Sequence, residues 1–207
     1  MRRLSDTAWP LNLRGQGRGW QTCRLPTLIM MTDSNRLPDP RPAIAALPRG
    51  SAVVLRHYDA QDRFALALAL AALCRRRHVR LLIGGDPRLA SAVGADGLHI
   101  PEWMTRRGLG AWQCWRRPNW TVTAAAHSLA GLWRAAAIGA DAALLSPIFF
   151  TASHPQATPI GALRFAAWCR QSPLPVYALG GVSVNGVRRL AASGAAGIAG
   201  ISKFLVN

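Results

Sequence analysis

Several segments of the chain bring together residue types that hold phosphate or handle protons. The apolar stretch Val176-Tyr177-Ala178-Leu179 runs into Gly180-Gly181. Glycine lets the backbone approach an oxyanion and offer it N–H groups. Further on, Ile201-Ser202-Lys203 puts a hydroxyl and the only lysine of the chain after a second apolar stretch. A short helix starting there would aim its N–H groups at the same anion. The segment from Ser146 to Pro155 carries Thr151, Ser153 and His154 beside Phe149 and Phe150, a mixture suited to a small polar or heteroaromatic ligand. Arg56 closes a further apolar stretch, where a guanidinium can grip a phosphate or carboxylate through two hydrogen bonds. His99 and His127 stand at comparable places, where a structural imidazole with one satisfied nitrogen competes with a chemical role.

These residues need a scaffold that brings them to one place. Short apolar stretches bounded by Gly, Pro, Asp or Ser predict strands at 27–32, 52–56, 79–83, 97–100, 121–125, 142–146, 176–179 and 197–201. Helical patterns fall between them. The clearest covers 61–77, rich in Ala and Leu and ending in Arg75-Arg76-Arg77, which suits the helix dipole. Shorter ones cover 129–138, 163–170 and 185–192. Buried strands alternating with helices make a parallel sheet. Three joints repeat a phrase: Gly94-Ala95-Asp96-Gly97, Gly139-Ala140-Asp141-Ala142 and Gly194-Ala195-Ala196-Gly197. Their first glycine suits a left-handed helix C-cap. Eight such strands predict an α/β fold, a single-domain (β/α)8 TIM barrel. No G-x-G-x-x-G follows the first strand, which disfavours a doubly wound dinucleotide fold. In a barrel the strand ends carry the site, with phosphate after strands seven and eight, and the segments above sit there. The chain ends six residues after the eighth strand, so the expected barrel has a truncated eighth helix. Residues 1–26 or a second subunit are expected to cover the seam between strands one and eight.

Composition narrows the partners. The 207 residues carry 25 Lys+Arg against 9 Asp+Glu, a net charge of +16, and 24 of the cations are arginine. Half of the residues are hydrophobic, which excludes a disordered polyelectrolyte. The charge attracts polyanions in general. However, it is scattered over helix ends and connections without forming one stripe. Only Trp112-Gln113-Cys114-Trp115-Arg116-Arg117-Pro118-Asn119-Trp120 interleaves aromatics with arginines as a single-strand binder does. Packing of those tryptophans on the barrel is the competing reading, and nucleic acid is not the expected partner. Cys23, Cys74, Cys114 and Cys169 lie 40 or more residues apart, which fits free thiols in a reducing cytoplasm and no structural metal site. The longest apolar run, from Phe64 to Cys74, is eleven residues, too short for a bilayer core that takes about 20. Residues 1–26 hold five arginines and one acid without periodicity and are read as a basic, flexible N-terminal extension ahead of a barrel domain, 27–207.

Taken together, the phrases resemble the thiamine phosphate synthase/TenI family. The resemblance runs from about residue 27 to 202. Gly94-Ala95-Asp96-Gly97-Leu98-His99 is similar to the family's GADGVH, and His127-Ser128 to its His-Ser pair. The stretch from Pro147 to Ser153 is similar to GPVFPTxTK, and Ala178-Leu179-Gly180-Gly181-Val182 to AIGGI. The resemblance implies a (β/α)8 barrel, usually a homodimer. It also implies either a synthase or a TenI enzyme. The synthase joins a thiazole phosphate to a pyrimidine diphosphate with Mg²⁺ and releases pyrophosphate. The TenI enzyme isomerises a thiazole carboxylate phosphate.

Carried over residue by residue, the thiazole phosphate half is retained: Gly180, Gly181, Ile201 and Ser202, with Lys203 beside them, and Thr151 and Ser153 for the family's Thr-x-Thr. The diphosphate half departs. Arg-x-Lys reads Arg56-His57-Tyr58, Asn-Asp reads Gly84-Gly85 with Asp86 next, and Gly-Gln-x-Asp reads Pro101-Glu102-Trp103-Met104. The Ser two before the pair's His is Ala125, and the Lys after Thr-x-Thr is His154. The TenI proton-carrying histidine falls at Pro147, so His154 or His127 is expected to take over proton transfer, imidazole titrating near neutral pH. The function implied is a thiamine-pathway protein that binds a thiazole phosphate. It acts as a synthase if Mg²⁺ chemistry survives, and otherwise as a tautomerase or a phosphometabolite-binding barrel without turnover.

Overall fold

A computed structural model describes residues 25–106, 111–151 and 156–201. Eight strands close in sequence order into an all-parallel barrel: β1 (Leu28–Met31), β2 (Ala52–Leu55), β3 (Arg80–Gly84), β4 (Gly97–Ile100), β5 (Thr121–Ala126), β6 (Ala142–Leu145), β7 (Val176–Leu179) and β8 (Gly197–Gly200). β8 pairs with β1 through Leu28 and Ile198. The described helices are α1 (Arg41–Ala45), α2 (Arg63–Arg77), α3 (Pro87–Ala92), α4 (Glu102–Thr105), α5 (Leu129–Ala137), α6 (Ala162–Gln171) and α7 (Val184–Leu190), and a 3-10 turn spans Ala111–Trp115. The expected barrel is the observed one.

Alternation along each strand divides the core in two. Ile29, Met31, Ala52, Val54, Leu82, Ala142, Leu144, Tyr177 and Ala199 fill the barrel interior. Their neighbours, such as Val53, Leu55, Leu81, Leu98 and Val122, meet the helices outside. At the seam between β1 and β8, Leu28, Met30 and Ile198 are buried. The segments at both ends, 1–24 and 202–207, lie outside the described residues, and with them the expected extension and truncated helix.

The strands start and stop within two residues of the expected places. Arg56 falls outside β2 because its N–H and guanidinium both turn to Thr32, at the end of β1. Helix α2 starts at Arg63 because the Asp62 carboxylate accepts the N–H of Ala65 and caps it there. Four short elements, α1, α3, α4 and the 3-10 turn, were not expected. At four to six residues each, they are too short for a period to show.

The repeated joints have a clear basis. Gly94, Gly139 and Gly194 all take positive φ (+64, +76 and +80°), the left-handed cap that glycine favours. The Asp of the first two copies then reaches sideways. Asp96 Oδ2 accepts the N–H of Leu81 in β3 (2.8 Å), and Asp141 Oδ2 that of Val122 in β5 (2.6 Å). These carboxylates sit at the bottom of the barrel, opposite the strand ends that carry chemistry.

Candidate functional site

The retained half of the site is a close fit between two loops. After β6, Ile148 and Phe149 donate their N–H groups to the carbonyls of Leu179 and Gly180 (2.9 and 3.0 Å). The glycine pair allows this. Gly180 and Gly181 take φ +88 and +66°, a Cβ on Gly180 would stand 3.1 Å from Pro147 Cα, and one on Gly181 would strike the Phe150 carbonyl. The pair is thus required by packing as well as being suited to an anion. No acceptor among the described residues takes the N–H of Gly180 or Gly181, which leaves two donors at the end of β7. Thr151 lies half-buried at the end of the same loop, and the Ile201 side chain packs against the interior core at the end of β8. Ser153, His154, Ser202 and Lys203 lie outside the described residues.

His127 follows β5 and leans on the β6 end. Its Nδ1–H donates to the Ser146 carbonyl (2.8 Å), with Ser146 Oγ 3.2 Å away as a second acceptor. This fixes the tautomer and leaves Nε2 as the basic atom. Nε2 faces Glu102 Oε2 at 3.8 Å. The imidazole is 46% open to solvent, while the Glu102 side chain is only 13% open and is held by Arg134 (3.0 Å) and Arg106 (3.5 Å). The arrangement can accept and return a proton at Nε2, with a fixed carboxylate beside the charge that forms. His99 has the structural fate. It points into the barrel, its Nδ1 pairs with Thr123 Oγ1 (2.9 Å), and burial first, then the nearby Arg56 charge, lowers its pKa to about 3. It is neutral at any working pH.

The other half of the site is built differently. The Arg56 Nε donates to the Thr32 carbonyl (2.9 Å), and Nη2 pairs with Asp33 (3.2 Å), so two of the donors expected to hold an anion are engaged by β1 and its loop. Tyr58 lies over Gly84, where an added Cβ would stand 2.8 Å from the tyrosine oxygen and 2.9 Å from the Leu55 carbonyl. Arg63, the first residue of α2, stacks its guanidinium 5.1 Å from the Tyr58 ring centre. Its Nη2 donates to the carbonyls of Gly84 (2.7 Å) and Leu55 (3.4 Å). Burial lowers the Arg63 pKa and raises that of Tyr58. Neither Arg63 nor the fit of Tyr58 on Gly84 was singled out from the sequence. The trace was the pairing of a bulkier residue at 58 with a smaller one at 84.

A family model described as thiamine monophosphate synthase matches residues 29–204. The chain belongs to the thiamine phosphate synthase/TenI family. It is 41% identical over 155 residues to a protein named putative thiamine-phosphate synthase 2 from Aquifex aeolicus, covering 74% of this chain and 82% of that one. It is 31% identical over 183 residues to the thiamine-phosphate synthase of Alcanivorax borkumensis, covering 85% and 83%. In fold it is similar to a thiamine phosphate pyrophosphorylase from Pyrococcus furiosus, with TM-score 0.68, 24% identity and 87% of each chain covered. Membership places this protein in thiamine biosynthesis.

The family resemblance implies Mg²⁺, and the described residues do not fit it. Mg²⁺ requires near-octahedral oxygen ligands. Where the family pattern has Asn-Asp, this family member has Gly84-Gly85, and the space at Gly84 is filled by the Tyr58 oxygen. The Asp86 carboxylate caps α3 by accepting the Leu89 N–H (2.9 Å) and faces the Arg63 cation (3.7 Å). Glu102 is taken up by two arginines. Among the described residues, no three His, Cys, Asp or Glu side chains come close enough together to hold a metal. No described helix is long and apolar enough to cross a membrane. In the Trp–Arg stretch, Trp112 and Trp120 are buried, Trp115 is exposed, and Arg116 and Arg117 bind Asp141 and Ser91.

Proposed function

We propose that this family member binds a thiazole carboxylate phosphate and moves a proton on it without a metal, His127 Nε2 being the base that takes the proton and returns it to another ring position. The observation that carries the reading is the His127 geometry: Nδ1 is anchored on Ser146, and Nε2 is free to react beside Glu102, next to the loop that carries Thr151. The phosphate rests on the Gly180-Gly181 N–H groups, with Thr151 and Ile201 as neighbours, and Ser153, Ser202 and Lys203 are further binding candidates on the sequence alone. His154 is the second candidate for proton transfer. The step is a proton shift with a compensating move of one double bond, so no oxidant or leaving group is involved.

The second reading is the synthase, favoured by relatives named thiamine-phosphate synthase. One experiment separates the two. Thiazole carboxylate phosphate in D2O is followed by NMR, alone and then with pyrimidine diphosphate and Mg²⁺. Isomerisation and deuterium uptake without metal, lost about 10²–10⁴-fold in His127→Ala, is the expected result. Pyrophosphate release only with Mg²⁺ would establish the synthase instead. The reading also includes a cytoplasmic homodimer. Free Cys74, Cys114 and Cys169 and the exposed Phe64 and Leu68 of α2 support it, and light scattering tests the assembly.

A further inference from the structure

We infer that Tyr58, Arg63 and Gly84 form a plug that takes the place of a metal–diphosphate subsite and restricts this barrel to one phosphorylated ligand. Tyr58 crowds a side chain at position 84, because the tyrosine oxygen stands 2.8 Å from the Cβ position of Gly84 and must shift for one to fit. A metal-ligating side chain at 84 would have to displace the Tyr58 ring. The Leu55 carbonyl, a backbone atom 2.9 Å from the same Cβ position, adds a fixed obstacle.

Arg63 completes the plug. Carbonyls at strand ends are ready ligands for a cation, and the guanidinium occupies those of β2 and β3, Leu55 and Gly84, from one nitrogen. Its second terminal nitrogen faces Asp86, the carboxylate that follows the glycine pair. A fixed positive charge in that position repels a divalent cation and neutralises the acid that would attract it. The Tyr58 ring lies over the guanidinium and keeps it from anions in solution. Next to it, Gly85 takes φ +68° with its Cβ direction toward Pro101 and the Tyr58 ring, so the plug continues across the end of β4. Sequence alone shows only lost ligands here. The structure shows that other groups have filled the space.

This inference does not depend on His127 and is read by binding alone. Inorganic pyrophosphate is titrated calorimetrically into the full chain, in Mg²⁺ and in EDTA, for the wild type and for Tyr58→Ala. Tyr58 is 54% exposed, so its truncation leaves the core intact. The wild type is expected to bind pyrophosphate weakly, with the same affinity in both buffers to within about twofold. Tyr58→Ala uncovers Arg63 and is expected to bind at least about tenfold more tightly, again without need of Mg²⁺, a gain that Arg63→Met in the same background removes. Two outcomes overturn the inference: Mg²⁺ tightening the wild-type affinity tenfold or more, or Tyr58→Ala leaving it unchanged.

Discussion

His127 Nε2 stands 3.8 Å from Glu102 Oε2, and the two come from different βα units, after β5 and after β4. Glu102 itself is fixed by Arg134. A carboxylate so placed orients the imidazole and matters most when that ring carries a proton. Glu102→Gln is expected to lower kcat about tenfold and leave KM for the thiazole ligand within about twofold. Steady-state kinetics on the isomerisation check this, and a rise in KM at unchanged kcat would assign Glu102 to binding instead.

His99 makes stability depend on acid. Its folded-state pKa, about 3, lies below the ordinary value of 6.5 because the ring is buried. The unfolded chain takes up a proton as pH falls through 6.5, and the folded chain does not until about 3. Stability from this group is therefore complete above pH 6.5 and is lost between 6.5 and 3, at up to about 1.4 kcal/mol per pH unit. Melting curves from pH 7.5 to 4.5 should show a fall in Tm that is shallower in His99→Gln. Equal slopes would remove His99 from the account.

The glycines at the mouth of the barrel are expected to resist substitution for different reasons. Gly181→Ala forces a side chain into φ +66° and against the Phe150 carbonyl. The expected loss is ~1–3 kcal/mol, a drop of about 2–4 °C in Tm for each kcal/mol. Gly84→Ala meets the Tyr58 oxygen and the Leu55 carbonyl at ordinary φ, so Tyr58→Ala should relieve part of its cost and none of that at Gly181. Urea unfolding of the single and double variants measures both.

At the bottom of the barrel, Asp141→Ala leaves the buried Val122 N–H without its acceptor and breaks the pair with Arg116. The expected cost is about 1–3 kcal/mol. Ligand affinity should not change, because the site lies at the other end of the strands. Unfolding and titration on the same protein check the two halves of this prediction.

The strands and the barrel were legible because buried parallel strands are short apolar stretches with sharp boundaries, and three of the joints repeat a glycine. The short helices were not. Asp86 caps α3 and Pro87 opens it, yet its six residues carry no period. In the site, Gly180-Gly181 stood out locally, whereas Arg63 reaches its partners only through the fold, binding carbonyls at 55 and 84. Asp96 and Asp141 were visible in a repeated phrase, but their partners are strand N–H groups 15 and 19 residues earlier. A phrase along the chain does not show what lies beside it.

Those two aspartates also act as alignment pins. In an all-parallel sheet, a slip of one residue would turn every interior side chain outward. Asp96 holds β4 against β3 and Asp141 holds β6 against β5, each accepting one strand N–H with its carboxylate and donating its own N–H to the same residue's carbonyl. The third joint has Ala196 in that place, and there Tyr177 reaches from β7 across the barrel floor to the Pro26 carbonyl. Wrongly aligned barrels are thus penalised at the floor, which leaves the opposite rim free to change its chemistry.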